Sequence, residues 1–250
     1  MEKADYQTSW LKIFSIFVVF IAVVLLIDPL FPKGWGKMGE LITQETVIVC
    51  LILLLNHFWV HQPLHFKPAV SFRTILGVNT LPIIFIILAI ILTFTGNNIA
   101  NLQNAIIVGL CAGITEELTF RGMILPGILT HFNGHRGMWA AVLLSSVLFG
   151  LVHMVNLARQ TLGATALQGT NAFVLGLVLA AIYLRTGSLI FPMIFHGIND
   201  YIAVIVAHGS LAVQSQSFGP HISQWIIYVL IAIFLLRKSK TKEVYKITEK

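Results

Sequence analysis

The sequence predicts an all-α fold, a polytopic membrane bundle of about eight transmembrane helices, on three observations. Hydrophobic residues make up 57% of the 250 residues and charged residues only 10%. The mean hydropathy is +0.86. The apolar residues also gather into runs that approach the roughly 20 residues a helix needs to cross a bilayer.

In chain order the runs are Leu11 to Leu30, Val47 to Trp59, Leu81 to Phe94, Ala105 to Leu125, Met138 to Val155, Ala172 to Leu184, Leu189 to Ala207 and Trp225 to Leu236. The shorter ones draw flanking polar residues into the helix. The first is expected to stay in the protein, because Met1-Glu2-Lys3-Ala4-Asp5 is not a basic leader and the run is too long for a signal core. No polar linker, low-complexity tract or internal repeat divides the chain, so residues 1–250 read as a single integral membrane domain. Cys50 and Cys111 both lie within apolar runs and are expected to pack as small hydrophobes, with no disulfide.

An even number of spans places Lys3, Lys67, Arg73, Arg136, Arg185 and the tail Arg237, Lys238, Lys240 and Lys242 on one side, against Lys33, Lys37 and Arg159 on the other. By the positive-inside rule both termini are expected on the cytoplasmic face of the cell membrane. The net charge of +6 is spread over these loops and the tail. It suits anionic lipid rather than nucleic acid.

Within Ile114-Thr115-Glu116-Glu117-Leu118-Thr119-Phe120-Arg121, three ionisable groups stand inside an apolar run. Each costs roughly 2.5 to 3.5 kcal/mol near a bilayer centre, so their presence points to function. Glu117 and Arg121 are four residues apart and share a helix face. Glu116 is turned about 100° from Glu117 and must find its partner on another helix or in a wet cavity. A carboxylate held in such a site is a candidate general base, and Glu116 takes that role; a structural ion pair is the plain alternative.

Two further runs bring histidines. Phe149 and His153 are four residues apart, and Gly150 beside them admits a close helix. His196 and Asp200 share a face, while Asn199 points elsewhere on the turn. Buried ionisable groups on three spans are natural partners for one another. At about 1.5 Å per residue, His153 lies about 24 Å from Gly137 and His196 about 12 Å from Ser188, so the two helices must start at different depths or tilt. His57, His61 and His65 are interrupted by Pro63 and, beside Trp59, are expected to anchor the interface rather than bind metal. His131, His135, His208 and His221 are expected to be solvated loop residues.

In order and type, Glu116-Glu117-x-x-x-Arg121, Phe149-x-x-x-His153 and His196-x-x-x-Asp200 resemble the motifs of the CAAX protease and bacteriocin-processing family of intramembrane peptidases. The resemblance covers Ala105 to Ala207, expected to form the catalytic core. It implies an endopeptidase that uses a Glu- and His-activated water on a peptide or protein substrate, with roles in bacteria such as bacteriocin self-immunity or peptide maturation. It further implies Glu116 as the water-activating base, Glu117 and Arg121 as its orienting neighbours, and His153 as an assistant to the water or a metal ligand. His196 with Asp200 would steady the oxyanion or complete a metal site. The last motif position is commonly Asn, and an ionised Asp200 could not donate a hydrogen bond to an oxyanion. Two routes stand side by side. Glu116, His153 and His196 could hold a catalytic Zn²⁺; alternatively, with no His-Glu-x-x-His helix, Glu116 and His153 could share the proton work without metal.

Two other classes use the same kinds of residue. A secondary transporter or proton relay would explain intramembrane acids and the breaks near Pro126 and Pro192, but lacks the expected repeat symmetry. A non-catalytic immunity or scaffold protein would need no base at Glu116. Oligomeric state and natural substrate leave no mark in the sequence.

Overall fold

A computed structural model describes residues 8–27, 36–95, 98–208 and 219–240. These residues form helices and no strand. Lys3, Lys33, Lys242 and the end of the first run at Leu30 lie outside them. The helices are α1 (Trp10–Leu26), α2 (Lys37–Leu55), α3 (Phe72–Val78), α4 (Thr80–Thr95), α5 (Leu102–Thr119), α6 (Leu125–Leu129), α7 (Gly134–Val152), α8 (Leu162–Thr186), α9 (Ile190–Val206) and α10 (Ile222–Leu235). Among the described residues, four helical stretches are long and apolar enough to cross a bilayer: Lys37–Val60, Ile99–Leu129, Gly134–Ala158 and Leu162–Thr186. The pair α3 and α4, bent by 61°, makes a fifth if taken as one span. The predicted eight is reached only when the shorter apolar helices α1, α9 and α10 also count as spans.

Burial sorts these helices by position. From Val174 to Thr186, α8 is buried on every side, as expected of a helix that is apolar all round and enclosed by others. On α4, by contrast, Ile83, Ile84, Ile86, Ile87, Leu88, Ile90 and Ile91 are exposed. An outer belt of branched aliphatics around polar buried groups is the pattern a lipid solvent favours. Cys50 is exposed and Cys111 half-buried, both as free thiols.

Without a hydrophobic force between helices in lipid, close approach depends on small residues. Helix α9 crosses α5 at such a point. A Cβ added at Gly109 would collide with the Gly197 carbonyl, and one at Gly113 would lie 2.6 Å from the Met193 carbonyl. Gly150 of α7 and Gly169 of α8 make a second contact, where a Cβ at Gly150 would lie 2.7 Å from the Gly169 carbonyl.

Hydrogen bonds gather the helix ends that the charge pattern assigned to one side. Thr8, just before α1, donates to Gln62 beyond α2, and His131 beyond α6 contacts the Thr8 carbonyl at 2.7 Å and stacks on Trp10. His135 reaches the Leu236 carbonyl at the end of α10 at 3.0 Å. His131 and His135 are therefore tethers between helix ends, not solvated loop residues. Arg185 is likewise not a loop cation: it is buried in the last turn of α8.

The turn from α8 to α9 lies inside the protein. Gly187, with φ +68°, ends α8 by returning its N–H to the Tyr183 carbonyl. Residues 65–69 cover the turn. Ala69 N–H donates to the Thr186 carbonyl at 2.9 Å, Leu189 N–H to the His65 carbonyl at 2.8 Å, and the Ser188 hydroxyl to the Phe66 carbonyl. Helix α9 thus begins beneath a roof of backbone.

Replacing Gly109 by Val should wedge α5 from α9 and cost about 1 to 3 kcal/mol, whereas Gly77, which has open space around it, should accept Ala without loss. Thermal unfolding of both variants in detergent measures the difference. Equal stability would show that the glycine crossing does not hold these helices together.

Candidate active site

The site is built outward from Glu117 and Arg121, neither of which has measurable solvent exposure. Pro126 cannot donate to the carbonyl four residues back, and just ahead of it the span widens into a π turn, Phe120–Ile124, with Leu125 N–H bonded to the Phe120 carbonyl. Arg121 lies in this turn. Its guanidinium meets Glu117 Oε1 at 2.8 Å, donates to the Gly176 carbonyl of α8 at 3.1 Å, and lies 4.3 Å from the centre of the Phe149 ring. The helical spacing that paired these residues in the sequence is realised, and α7 and α8 complete the enclosure.

The same Glu117 oxygen holds His196 Nδ1 at 2.9 Å. This fixes the ring so that Nε2 faces the other way, 3.7 Å from Glu116 Oε2 and 3.6 Å from Asp200 Oδ2. Glu116 and Glu117 diverge on α5, yet they reach opposite nitrogens of one imidazole because α9 crosses so closely at Gly197. These two longer separations are ion-pair distances, not direct hydrogen bonds. His153 is the C-cap of α7, where the α-helix tightens into a 3₁₀ turn, His153–Ala158. Its ring is 5.7 Å from Phe149, and the His196 ring meets the same phenyl edge-on at 5.6 Å. Phe149 therefore brings the two histidines to one level.

Asp200, rather than Asn199, faces His196; Asn199 turns to α10, where it accepts from the Tyr228 hydroxyl. His57 and His61 are exposed beside Phe58 and Trp59, unlike the buried groups of this cluster. Among the described residues, no three His, Cys, Asp or Glu side chains are grouped to hold a metal ion. A Zn²⁺ bound by Glu116, His153 and His196 would use His196 Nε2, since Nδ1 donates to Glu117 as the second nitrogen of a metal-binding histidine does, and would require the three side chains to draw closer.

One acid at the site was missed in the sequence. Glu45 of α2 hydrogen-bonds Thr115 and interacts electrostatically with His196 and Glu116, and its second oxygen is buried without a partner. It falls just before the run that begins at Val47, in a stretch that reads as a polar approach to the membrane. The available signal was periodicity: Glu45 precedes the buried Ile48 by three residues and Ile52 by seven, on one helix face.

Residues 98–202 match the family model described as type II CAAX prenyl endopeptidase Rce1-like. This segment is Rce1-like. The match agrees with the resemblance drawn from the three motifs, and all of those motif residues fall within the Rce1-like segment, whereas Glu45 and Tyr228 fall outside it. No curated protein and no solved structure matches the chain.

Substituting Arg121 by Met should leave the Glu117 charge buried with His196 as its remaining partner and cost about 3 to 5 kcal/mol. Adding Glu117→Gln should recover part of that loss, because it removes the uncompensated charge. Unfolding of the two variants in detergent tests this; a double variant less stable than Arg121→Met would contradict a charge-pair role.

Proposed function

We propose that this membrane protein is an intramembrane endopeptidase of the CAAX type, in which Glu116 takes a proton from the attacking water. The observation that supports it is the His196 ring, gripped by buried Glu117 on Nδ1 and presenting Nε2 toward Glu116 and Asp200. In this reading Glu116 abstracts the proton, hydroxide adds to the scissile carbonyl, and the same carboxyl then returns the proton to the leaving amine. His196 as imidazolium carries N–H on both nitrogens; Nδ1 donates to Glu117 and Nε2 to the developing oxyanion. Asp200 is an acceptor here and balances the imidazolium. His153, across Phe149, assists in placing the water. Arg121 touches no reacting atom and acts through Glu117 as a positioning residue.

The substrate is then a peptide or protein that reaches the site within the bilayer. The identity of that peptide would decide between peptide maturation and bacteriocin self-immunity. We also propose that both termini lie on the cytoplasmic face, because the loops and tail that carry Lys67, Arg73, Arg136, Arg237, Lys238 and Lys240 alternate in the chain with those that carry Lys37 and Arg159. Reporter domains fused to the C-terminus should be active only in the cytoplasm, and activity outside it would reverse the orientation.

Purified wild-type protein in lipid should cleave members of a peptide library, and Glu116→Gln should lower the rate by about 10² to 10⁴-fold without changing the unfolding temperature. Undiminished cleavage by this variant would remove Glu116 from the chemistry. Ion-driven uptake into liposomes with no cleavage of any peptide would replace the peptidase reading by transport.

A further inference from the structure

A chain of hydrogen bonds enters the site from α10, outside the Rce1-like segment. Gln224 Nε2 donates to the Tyr228 hydroxyl at 3.0 Å, and that hydroxyl donates to Asn199 Oδ1 at 3.0 Å. Asn199 Nδ2 in turn donates to Asp200 Oδ1 at 3.3 Å, leaving Asp200 Oδ2 at 3.6 Å from His196 Nε2. Every donor points the same way, from the rim of α10 toward the carboxylate. The Tyr228 side chain is buried, and its ring packs against both Phe85 and Phe195 at 6.1 and 6.0 Å.

We infer that Tyr228, acting through Asn199, is a positioning residue that fixes the orientation of the Asp200 carboxylate toward His196. The Asp200 carboxylate only accepts and so draws Asn199 Nδ2, while the Tyr228 hydroxyl, which accepts from Gln224, donates to Oδ1 and anchors the other end of the amide. Held at both ends, the amide keeps Nδ2 in one place against Asp200. One Asp200 oxygen is thereby occupied by a donor and the other is left facing the imidazole. Without the hydroxyl, the Asn199 amide loses its outer anchor and can swing about its Cβ–Cγ bond, so its hold on Asp200 Oδ1 loosens. Helix α10 therefore contributes to the site without touching a reacting atom.

The kinetic part of the test rests on the peptidase reading; the spectroscopic part does not. The chain has three aspartates, Asp5, Asp28 and Asp200, so the infrared carboxyl band of Asp200 in ¹³C-aspartate-labelled protein is identified as the one lost in Asp200→Asn. Tyr228→Phe should shift that band. The control Tyr201→Phe, which removes the hydroxyl bonded to Thr93 at 2.6 Å on the same helix as Asp200, should leave it in place. Gln224→Leu should shift the band in the same direction by less, which keeps the test available if Tyr228→Phe does not fold. For peptide cleavage, Tyr228→Phe should lower kcat by about two- to tenfold, the loss of one hydrogen bond, with KM unchanged and no further loss in an Asn199→Ala background.

A band that stays in place in both Tyr228→Phe and Gln224→Leu overturns the inference, as does a kcat loss that is equal with and without Asn199. A shifted band in a protein that cleaves no peptide keeps the positioning role and removes the peptidase reading instead.

Discussion

The site depends on one carboxylate oxygen, Glu117 Oε1, which bonds Arg121 at 2.8 Å and His196 Nδ1 at 2.9 Å. Glu117 has no solvent to fall back on, so its charge must be met inside the bundle. Arg121 meets it from within the same span and also bonds α8, while His196 meets it from α9. Three helices are thus joined through a single buried group. The cost of leaving that group unpaired is what restricts the ring to one orientation.

Around this fixed point the second imidazole nitrogen gathers Glu116 from α5 and Asp200 from α9. The arrangement works only if α5 and α9 are nearly in backbone contact, which is why Gly109, Gly113 and Gly197 have no room for a side chain. A larger residue at the crossing would lengthen the ion-pair distances, since side chains of fixed length cannot follow a helix that moves away. The small-residue packing that lipid favours and the polar cluster that lipid disfavours are therefore two aspects of one contact.

Phe149 has a related part. It stacks against the guanidinium of Arg121, packs at 4.9 Å on Phe120, and presents its ring to both His153 and His196. A phenyl ring in this position excludes water from Arg121 and sets the separation of the two histidines. On the α10 side, Phe85 and Phe195 do the same for Tyr228. The polar groups of the site are thus spaced by aromatic rings, which are rigid and carry no competing hydrogen bonds.

Much of this was legible in the residues alone. Composition and run length determined an all-α membrane bundle, because a bilayer allows a spanning chain few other ways to satisfy its backbone. Four-residue spacing determined the Glu117–Arg121 pair and the shared face of His196 and Asp200, because helical periodicity is local. Three outcomes depended on contacts between helices distant in sequence. These were which acid reaches which nitrogen of His196, how His153 and His196 come to one level, and which residue of α10 takes Asn199 as its partner. Glu45 belongs with them in part: periodicity puts it on the face of Ile48 and Ile52, and the packing of α2 on α5 brings that face to the site. Periodicity gives the face on which a side chain lies; the crossing of two helices, decided by glycines and a roofed turn far apart in the chain, determines what that face meets.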